Sequence, residues 1–132
     1  MSLPAGAIWT YMVYVTQLEA TTDSGAKRPV FYNNTGFDIV ITNAYITGIK
    51  GADASNYMTP VLTDQDANTI ASAAWTAVST GTTFTTLGTC SATHGVIPDA
   101  EYVYLQFDQT LNGDSAEDVC LLLNYKFQTP SD

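Results

Sequence analysis

Apolar and β-branched side chains occur along the chain in short runs that are separated by turn residues. The two most regular runs are residues 100–109 and 118–128, where apolar and polar positions alternate. Such alternation is typical of strands that bury one face. Asn112-Gly113 lies between the two runs and predicts a reverse turn that joins them as a hairpin. The predicted inward positions are Val103, Leu105, Phe107, Val119, Leu121, Leu123, Tyr125 and Phe127.

The first run, residues 7–18, differs because large side chains occupy both of its phases. Trp9 and Tyr11 share one phase, whereas Met12 and Tyr14 occupy the other. A strand with this pattern is expected to be central in a sheet or to be covered on both faces.

The run over residues 37–49 changes phase between Ile41 and Ala44. In a regular strand, its apolar positions before and after this point would therefore face opposite sides of the sheet. A β-bulge near Thr42–Asn43 would return both halves to the same face.

Proline marks two of the shorter runs. Pro29 interrupts the run from Lys27 to Tyr32, and Pro60 lies inside residues 57–63. Because proline cannot donate a hydrogen bond to a neighbouring strand, both runs are predicted to be edge strands.

The segment over residues 70–78 is ambiguous, because its apolar positions have helical spacing although the surrounding chain is β-prone. We predict a short strand from about residue 68 to residue 73, followed by a loop, with one short helix as the alternative. A Thr-rich strand over residues 82–87 and a loop over residues 88–98 are predicted to follow.

These runs amount to about eight short strands, which predicts an all-β fold: a single β-sandwich or jelly roll of antiparallel strands. The composition agrees, because the chain contains 20 Thr and 8 Tyr but only 4 Lys and Arg. The chain has 132 residues and no repeat or linker, so one domain over residues 1–132 is expected. Residues 1–8 are a candidate N-terminal arm that pairs with a neighbouring subunit.

The charge balance excludes two classes of partner. Thirteen acidic residues against four basic ones give a net charge of −9. We therefore expect no nucleic-acid interface and no binding to an anionic membrane, since both need clustered Lys and Arg.

No apolar run approaches the roughly 20 residues that span a bilayer. Residues 1–6 do not resemble a secretory signal.

The residue types that catalysis requires are scarce. The chain has one histidine, His94, and no nucleophile, metal-protease or phosphate-loop motif. His94, Cys90 and Cys120 are too few for a closed metal site, so we predict no enzyme activity, no metal and no cofactor. The cysteines are expected to be small, reduced, apolar side chains. The alternative is a disulfide, which would add roughly 3 kcal/mol if the geometry allowed it.

Acidic residues cluster in two predicted turns, at Asp64 and Asp66 and within residues 114–118. Neither cluster has the spacing of an EF-hand calcium loop. We interpret both as solvated acidic loops that keep the protein soluble, with calcium binding as the alternative.

Aromatic side chains at outward positions are the most informative feature for function. Exposed Tyr and Trp are enriched in protein interfaces, and they also stack on sugars. The alternative is that a neighbouring strand or loop covers them. The candidate interface residues are Trp9, Tyr11, Trp75, Tyr102 and Tyr104.

The order of the strands resembles that of small jelly-roll head decoration (cement) proteins of tailed bacteriophages. The resemblance covers roughly residues 30–128 and rests on the segments 37–46, 57–62, 69–72, 84–87, 96–105 and 119–125. It implies a structural virion protein that binds the major capsid protein on the outer capsid surface and stabilises the shell. It also implies assembly in the host cytoplasm as a homo-oligomer, with a trimer favoured, and it carries over no catalytic residues.

A second hypothesis is a carbohydrate- or receptor-binding β-sandwich module of a phage tail fibre. This hypothesis expects an exposed aromatic patch that includes Trp75 or Tyr104, and calcium near one of the acidic loops.

Overall fold

The computed structural model describes residues 7–18, 27–50, 57–109 and 116–128. Within these residues the chain forms strands and turns, and no helix is present that could span a membrane. The strands are β1 (Trp9–Leu18), β2 (Lys27–Tyr32), β3 (Ile39–Lys50), β4 (Met58–Thr63), β5 (Thr69–Ser72), β6 (Ser79–Thr80), β7 (Thr85–Thr86), β8 (Val96–Ile97), β9 (Tyr102–Gln109) and β10 (Ala116–Phe127).

Two antiparallel sheets pack face to face. The first sheet has the order β1-β10-β3, and β6, β7 and β8 pair in turn along the free side of β3. The second sheet has the order β2-β9-β4-β5. If the three short segments are taken as one interrupted strand, eight strands remain, four in each sheet, with the connectivity of a jelly roll. The predicted fold class is confirmed.

β3 contains the predicted bulge. Asn124 of β10 pairs with Asn43, and the next residue, Tyr125, pairs with Ile41, so that Thr42 is the extra residue in β3. Ile41 and Ala44 are both buried as a result. The bulge therefore turns both halves of the strand towards the core.

The segment from β7 to β8 covers the free side of β3, but its middle part turns away from β3 towards the second sheet. The Leu87 amide donates to the Ala44 carbonyl and the Ile41 amide to the Gly95 carbonyl, each at 2.9 Å. Between these contacts the Ser91 amide donates to the Ile70 carbonyl of β5, at 2.8 Å. Residues 88–95 therefore link the two sheets at this side of the sandwich.

Glycine is required at position 95, where residues 88–95 return to β3. A Cβ atom there would lie 2.5 Å from the Ser91 carbonyl oxygen, which is closer than real side chains approach.

The structure corrects three sequence predictions about strand placement. The strands on either side of Asn112-Gly113 do not form a hairpin, because β9 and β10 belong to different sheets. The turn itself lies outside the described residues. β1 is an edge strand, not a central one, although both of its phases carry large side chains. In contrast, β4 is an interior strand, with β9 on one side and β5 on the other.

Pro60 fits inside β4 because its nitrogen, which has no hydrogen to donate, faces a gap in the neighbouring strand between Ser72 and Trp75. β5 ends where Ser72 pairs with Val61, one residue before the position of Pro60. The next contact on that side is the Trp75 amide, which donates to the Met58 carbonyl at 2.7 Å. Peptide groups alternate sides along a strand, so the nitrogen of Pro60 faces this gap and no ladder hydrogen bond is lost.

The predicted strand over residues 82–87 is reduced to β7 (Thr85–Thr86), and the predicted loop over residues 88–98 contains β8 (Val96–Ile97). The structure confirms three other local predictions. Pro29 lies in β2, which is an edge strand, and the ladder is irregular immediately after it. Residues 69–72 form the strand that was predicted for the ambiguous segment. The described inward positions of β9 and β10 contact the core as predicted.

Trp75 is a core residue, which corrects its assignment to an exposed interface. Its side chain is 2% exposed. Gly48 of β3 makes room for it, because a Cβ atom at Gly48 would lie 3.1 Å from Cη2 of the indole. The ammonium of Lys50, which is itself buried, lies 5.4 Å from the ring centroid and donates to the Ala77 carbonyl. Trp75 therefore packs the far end of β3 against the core.

Asn33 is a second organising residue, and it is fully buried at the end of β2. Its side-chain amide donates to the carbonyls of Phe37 and Ile97, at 2.8 and 2.9 Å. Its side-chain oxygen accepts from both the amide and the hydroxyl of Thr35. Its backbone amide donates to Glu101 at 2.9 Å. One side chain thus fixes the β2–β3 turn against the chain that leads from β8 to β9.

We expect Asn33→Ala to lower the free energy of unfolding by about 2–4 kcal/mol, because it removes four side-chain hydrogen bonds, one of them to the buried carbonyl of Ile97. Urea denaturation measures the change. Asn34→Ala is the matched control, because Asn34 is exposed and its variant should remain within about 0.5 kcal/mol of the wild type. Equal losses for the two variants would contradict the role assigned to Asn33.

We expect Gly48→Ala to destabilise the protein by about 1–3 kcal/mol, because the new methyl group meets the indole of Trp75 in a packed core. Trp75→Phe shortens the ring at the point of contact. In a double-mutant cycle followed by urea denaturation, the two substitutions should couple by at least about 0.5 kcal/mol. Strictly additive effects would show that the tight fit lies elsewhere.

Candidate interaction surface

The exposed apolar side chains concentrate at the start of the described chain. Met12 is 60% exposed and Tyr14 is 57% exposed, and Ile8, Trp9 and Tyr11 are also exposed. These five are half of the ten large hydrophobic side chains that are exposed in the described residues. β1 therefore presents apolar surface on both phases to the solvent.

β1 differs from the other sheet edges in the described part of the chain. The edge strand β2 carries Lys27, Pro29 and an irregular ladder, and β5 has only four residues. The far edge of the first sheet is divided among three segments of two residues each. Each of these devices discourages pairing with another chain. β1 has ten residues without a charge or a proline.

The open part of β1 extends from Trp9 to Tyr14. Over these residues β1 pairs with β10 in regular register, and irregularities begin only after Tyr14. Near the other end, the Arg28 guanidinium donates to the Val15 carbonyl at 3.2 Å. The regular segment is long enough for a partner strand to add to the sheet edge.

Aromatic rings form a chain along the side of the sandwich where β1 faces β2. The rings of Tyr11 and Phe31 lie 5.3 Å apart, and those of Phe31 and Tyr125 lie 5.8 Å apart. Phe127 continues the chain beside Tyr125 and contacts Trp9 edge-on at 6.0 Å. Trp9 and Tyr11 thus belong to one aromatic surface that spans both sheets.

Tyr102 and Tyr104 lie on the outer face of the second sheet, where they stack at 6.0 Å between ring centroids. Tyr32 of β2 joins them and lies 4.6 Å from Tyr102. The structure therefore separates the candidate residues. Trp9 and Tyr11 lie at the open edge, Tyr102 and Tyr104 lie on one outer face, and Trp75 lies in the core.

Two neighbouring rows of side chains on the outer face of the first sheet are uncharged across three adjacent strands. Met12 lies beside Leu122, and Leu122 lies beside Tyr45. The neighbouring row contains Thr10, Asn124 and Asn43. The apolar surface at β1 therefore continues across the sheet, which enlarges the area that a partner could bury.

A cleft opens where the two aromatic regions meet. It measures about 340 Å³ and lies between β1, β10, β2 and the turn that follows β2. Sequence reasoning missed this site, because its walls come from segments that are far apart in the chain. The lining residues are Tyr11, Phe31, Tyr32, Asn34, Thr35 and Tyr125.

An acidic group lies beside the far end of β1. The hydroxyl of Tyr14 donates to the Asp118 carboxylate at 3.0 Å. This hydrogen bond raises the pKa of Tyr14 above its usual value, and slight desolvation and the negative charge of Asp118 act in the same direction. The phenol is thus held in its neutral form.

His94 has a partner that the sequence did not indicate. Its Nδ1 atom lies 3.6 Å from the Asp64 carboxylate, so residues 88–95 also approach the β4–β5 turn. Asp64 organises that turn, because it accepts hydrogen bonds from the amides of Asp66 and Asn68. No group of three or more potential metal ligands occurs among the described residues, and Asp114 lies outside them.

Cys90 and Cys120 are free thiols in different environments. Cys90 packs against the core, where burial raises the pKa of its thiol. Cys120 belongs to the outer face of the first sheet, where it pairs with Tyr14 of β1 and Thr47 of β3.

Comparisons with known proteins identify the fold. No family model and no curated protein matches the chain. Among solved structures, the chain is similar to one from the cyanophage Pam1 capsid asymmetric unit, with 14% identity and a TM-score of 0.52. That alignment covers 97% of this chain and 93% of the other, so the two share a fold over almost their whole lengths.

A weaker similarity is to a chain of infectious bursal disease virus strain Gx, with 9% identity and a TM-score of 0.37. It covers 99% of this chain but 41% of the other. This second similarity supports no further conclusion.

Proposed function

We propose that the protein is a structural component of a virion that binds the outer surface of a bacteriophage capsid and stabilises the shell. The observation that carries the proposal is β1, an edge strand that is open and uncharged and exposes apolar side chains on both phases. The proposal assigns no catalysis and no cofactor to the chain.

Burial of β1 would supply the binding energy. Apolar surface removed from water contributes about 25 cal/mol per Å², although the ordering of both partners offsets part of this gain. A partner strand would add backbone hydrogen bonds along the free edge. Many identical sites on one particle would then add their effects, because each bound copy fastens neighbouring subunits together.

The shared fold and the charge both support this location. The similar chain of known structure belongs to a cyanophage capsid asymmetric unit, so this fold is compatible with a place in a capsid. A chain with a net charge of −9 would be repelled by packaged nucleic acid. The outer surface of the shell is therefore favoured over the inner one, and the major capsid protein is the proposed partner.

The proposal includes self-association. Tyr102 and Tyr104 present aromatic surface on the outer face of the second sheet, away from β1. A second contact surface of this kind suits a homo-oligomer, and a trimer is the expected state, formed in the host cytoplasm before or during attachment to the shell. Light scattering of the purified chain measures this state.

We expect Met12→Lys to lower capsid binding at least about tenfold, because it places a charge in the apolar surface that the partner buries. The measurement is cosedimentation with capsid particles that lack this protein, together with the copy number at saturation and the thermal resistance of the shell. Wild type should bind at a fixed number per capsomer and raise that resistance.

Val78→Lys is the matched control for this experiment. Val78 is 64% exposed, against 60% for Met12, but it lies beside β6 at the opposite edge of the first sheet. Both variants should keep the stability of the wild type within about 0.5 kcal/mol. Equal effects on binding, or a wild-type chain that does not bind capsids, would contradict the proposal.

Removal of residues 1–8 tests the N-terminal arm separately. Residues 1–6 lie outside the described residues, and Ile8 is one of the exposed apolar side chains. If the arm pairs with a neighbouring subunit, the truncated chain should lose assembly or capsid binding while it keeps its fold. Unchanged capsid binding and an unchanged number of subunits per oligomer in light scattering would exclude a role for the arm.

A further inference from the structure

We propose that the cleft between β1 and β2 binds the ring of a neutral sugar. The cleft shares Tyr11 with the exposed β1 edge used in the proposed function, but its other lining residues lie on β2, on the turn after β2 and on β10. Its volume of about 340 Å³ falls at the small end of the range for small-molecule sites. The inference does not rest on capsid binding.

The walls of the cleft supply aromatic surface for a sugar. Tyr11 and Phe31 are in edge-to-face contact, and Phe31 tilts against Tyr125 at 5.8 Å. A sugar ring has an apolar C–H face that packs on aromatic rings, and a rim of hydroxyls that needs hydrogen bonds. Tyrosine serves both needs, because it joins a ring face to a polar tip. Three of the six lining residues are tyrosines.

Polar groups line the cleft beside these rings. Asn34 is exposed and Thr35 is half-buried, and both belong to the turn after β2. No hydrogen bond joins the side chain of Asn34, or the hydroxyls of Tyr11 and Tyr32, to another described residue. These donors and acceptors are therefore available to a ligand.

The turn that carries Asn34 is held rigidly before any ligand arrives. Asn33 fixes it through four side-chain hydrogen bonds, two of them to Thr35. The Gly36 amide donates to the Asp99 carboxylate at 2.8 Å, which fastens the turn from its other end. A preformed turn lowers the entropy lost on binding.

The chemistry of the lining selects an uncharged ligand. None of the six lining residues carries a charge. An anionic sugar would enter a strongly acidic protein without a cation in the cleft to bind it. A neutral hexose or N-acetylhexosamine avoids this penalty, and its binding should depend little on salt.

The test is saturation-transfer NMR on the full-length free chain. The probes are neutral oligosaccharides of glucose, galactose, mannose and N-acetylglucosamine, a sialylated oligosaccharide, and a proline-rich peptide. We expect at least one neutral sugar to bind, with an affinity that changes less than about twofold between 50 and 500 mM salt. Binding of the peptide alone, preferential binding of the anionic sugar, or no binding at all would overturn the proposal.

Variants locate the site. Tyr32→Ala and Asn34→Ala should each lower the sugar affinity at least about tenfold, and Asn34→Ala should do so without loss of stability. Tyr14→Ala is the control, because Tyr14 is an exposed tyrosine of β1 that does not line the cleft. Equal losses in all three variants would place sugar binding elsewhere. Because the free chain is used, neither outcome decides whether the protein binds capsids.

Discussion

The fold depends on β3 turning apolar side chains towards the core both before and after its bulge. A regular strand could not do so with this sequence, because the apolar phase changes after Ile41. The extra residue, Thr42, resolves the conflict and lets one strand pair with β10 on one side while three short segments pair on the other. The core of the sandwich follows from this arrangement. Trp75 closes it at one end of β3, where Gly48 leaves room for the indole, and Asn33 fixes the opposite end through hydrogen bonds alone.

The treatment of sheet edges connects the fold with the function. A sandwich of two open sheets has four edges, and each can pair with a foreign strand unless something prevents it. Here proline, lysine, short length and repeated interruption protect three of them. β1 carries none of these devices and exposes Met12 and Tyr14. An unprotected apolar edge would favour aggregation in a protein that stayed free in solution, and it suits a protein that is covered by a partner in its working state.

Much of the fold could be predicted from local patterns, and the failures have a common physical cause. Alternation identified the inward faces of β9 and β10, and the phase change located the bulge. The pairing of strands that are distant in the chain has no comparable local pattern in the sequence. Asn112-Gly113 signals a local turn, yet the strands beside it enter different sheets, because β9 lies between β2 and β4 whereas β10 lies between β1 and β3. The proline rule predicts an edge strand for Pro60, because it does not include where the neighbouring strand ends. In the structure β5 ends opposite Val61, so no neighbour requires a hydrogen bond from the nitrogen of Pro60.

The candidate surface could be predicted only in part, because core and interface select the same residue types. Trp9 lies in a β-prone run and Trp75 in the ambiguous segment over residues 70–78, and neither pattern shows which indole is buried. What separates them is the glycine that faces Trp75 across the sandwich, a contact made by a residue 27 positions earlier in the chain. The cleft is a stronger case, since its walls come from β1, β2 and β10 and exist only after the sheets have packed. Both proposed binding surfaces therefore depend on how the sheet edges lie relative to one another, which is a property of the assembled sandwich and of no single segment.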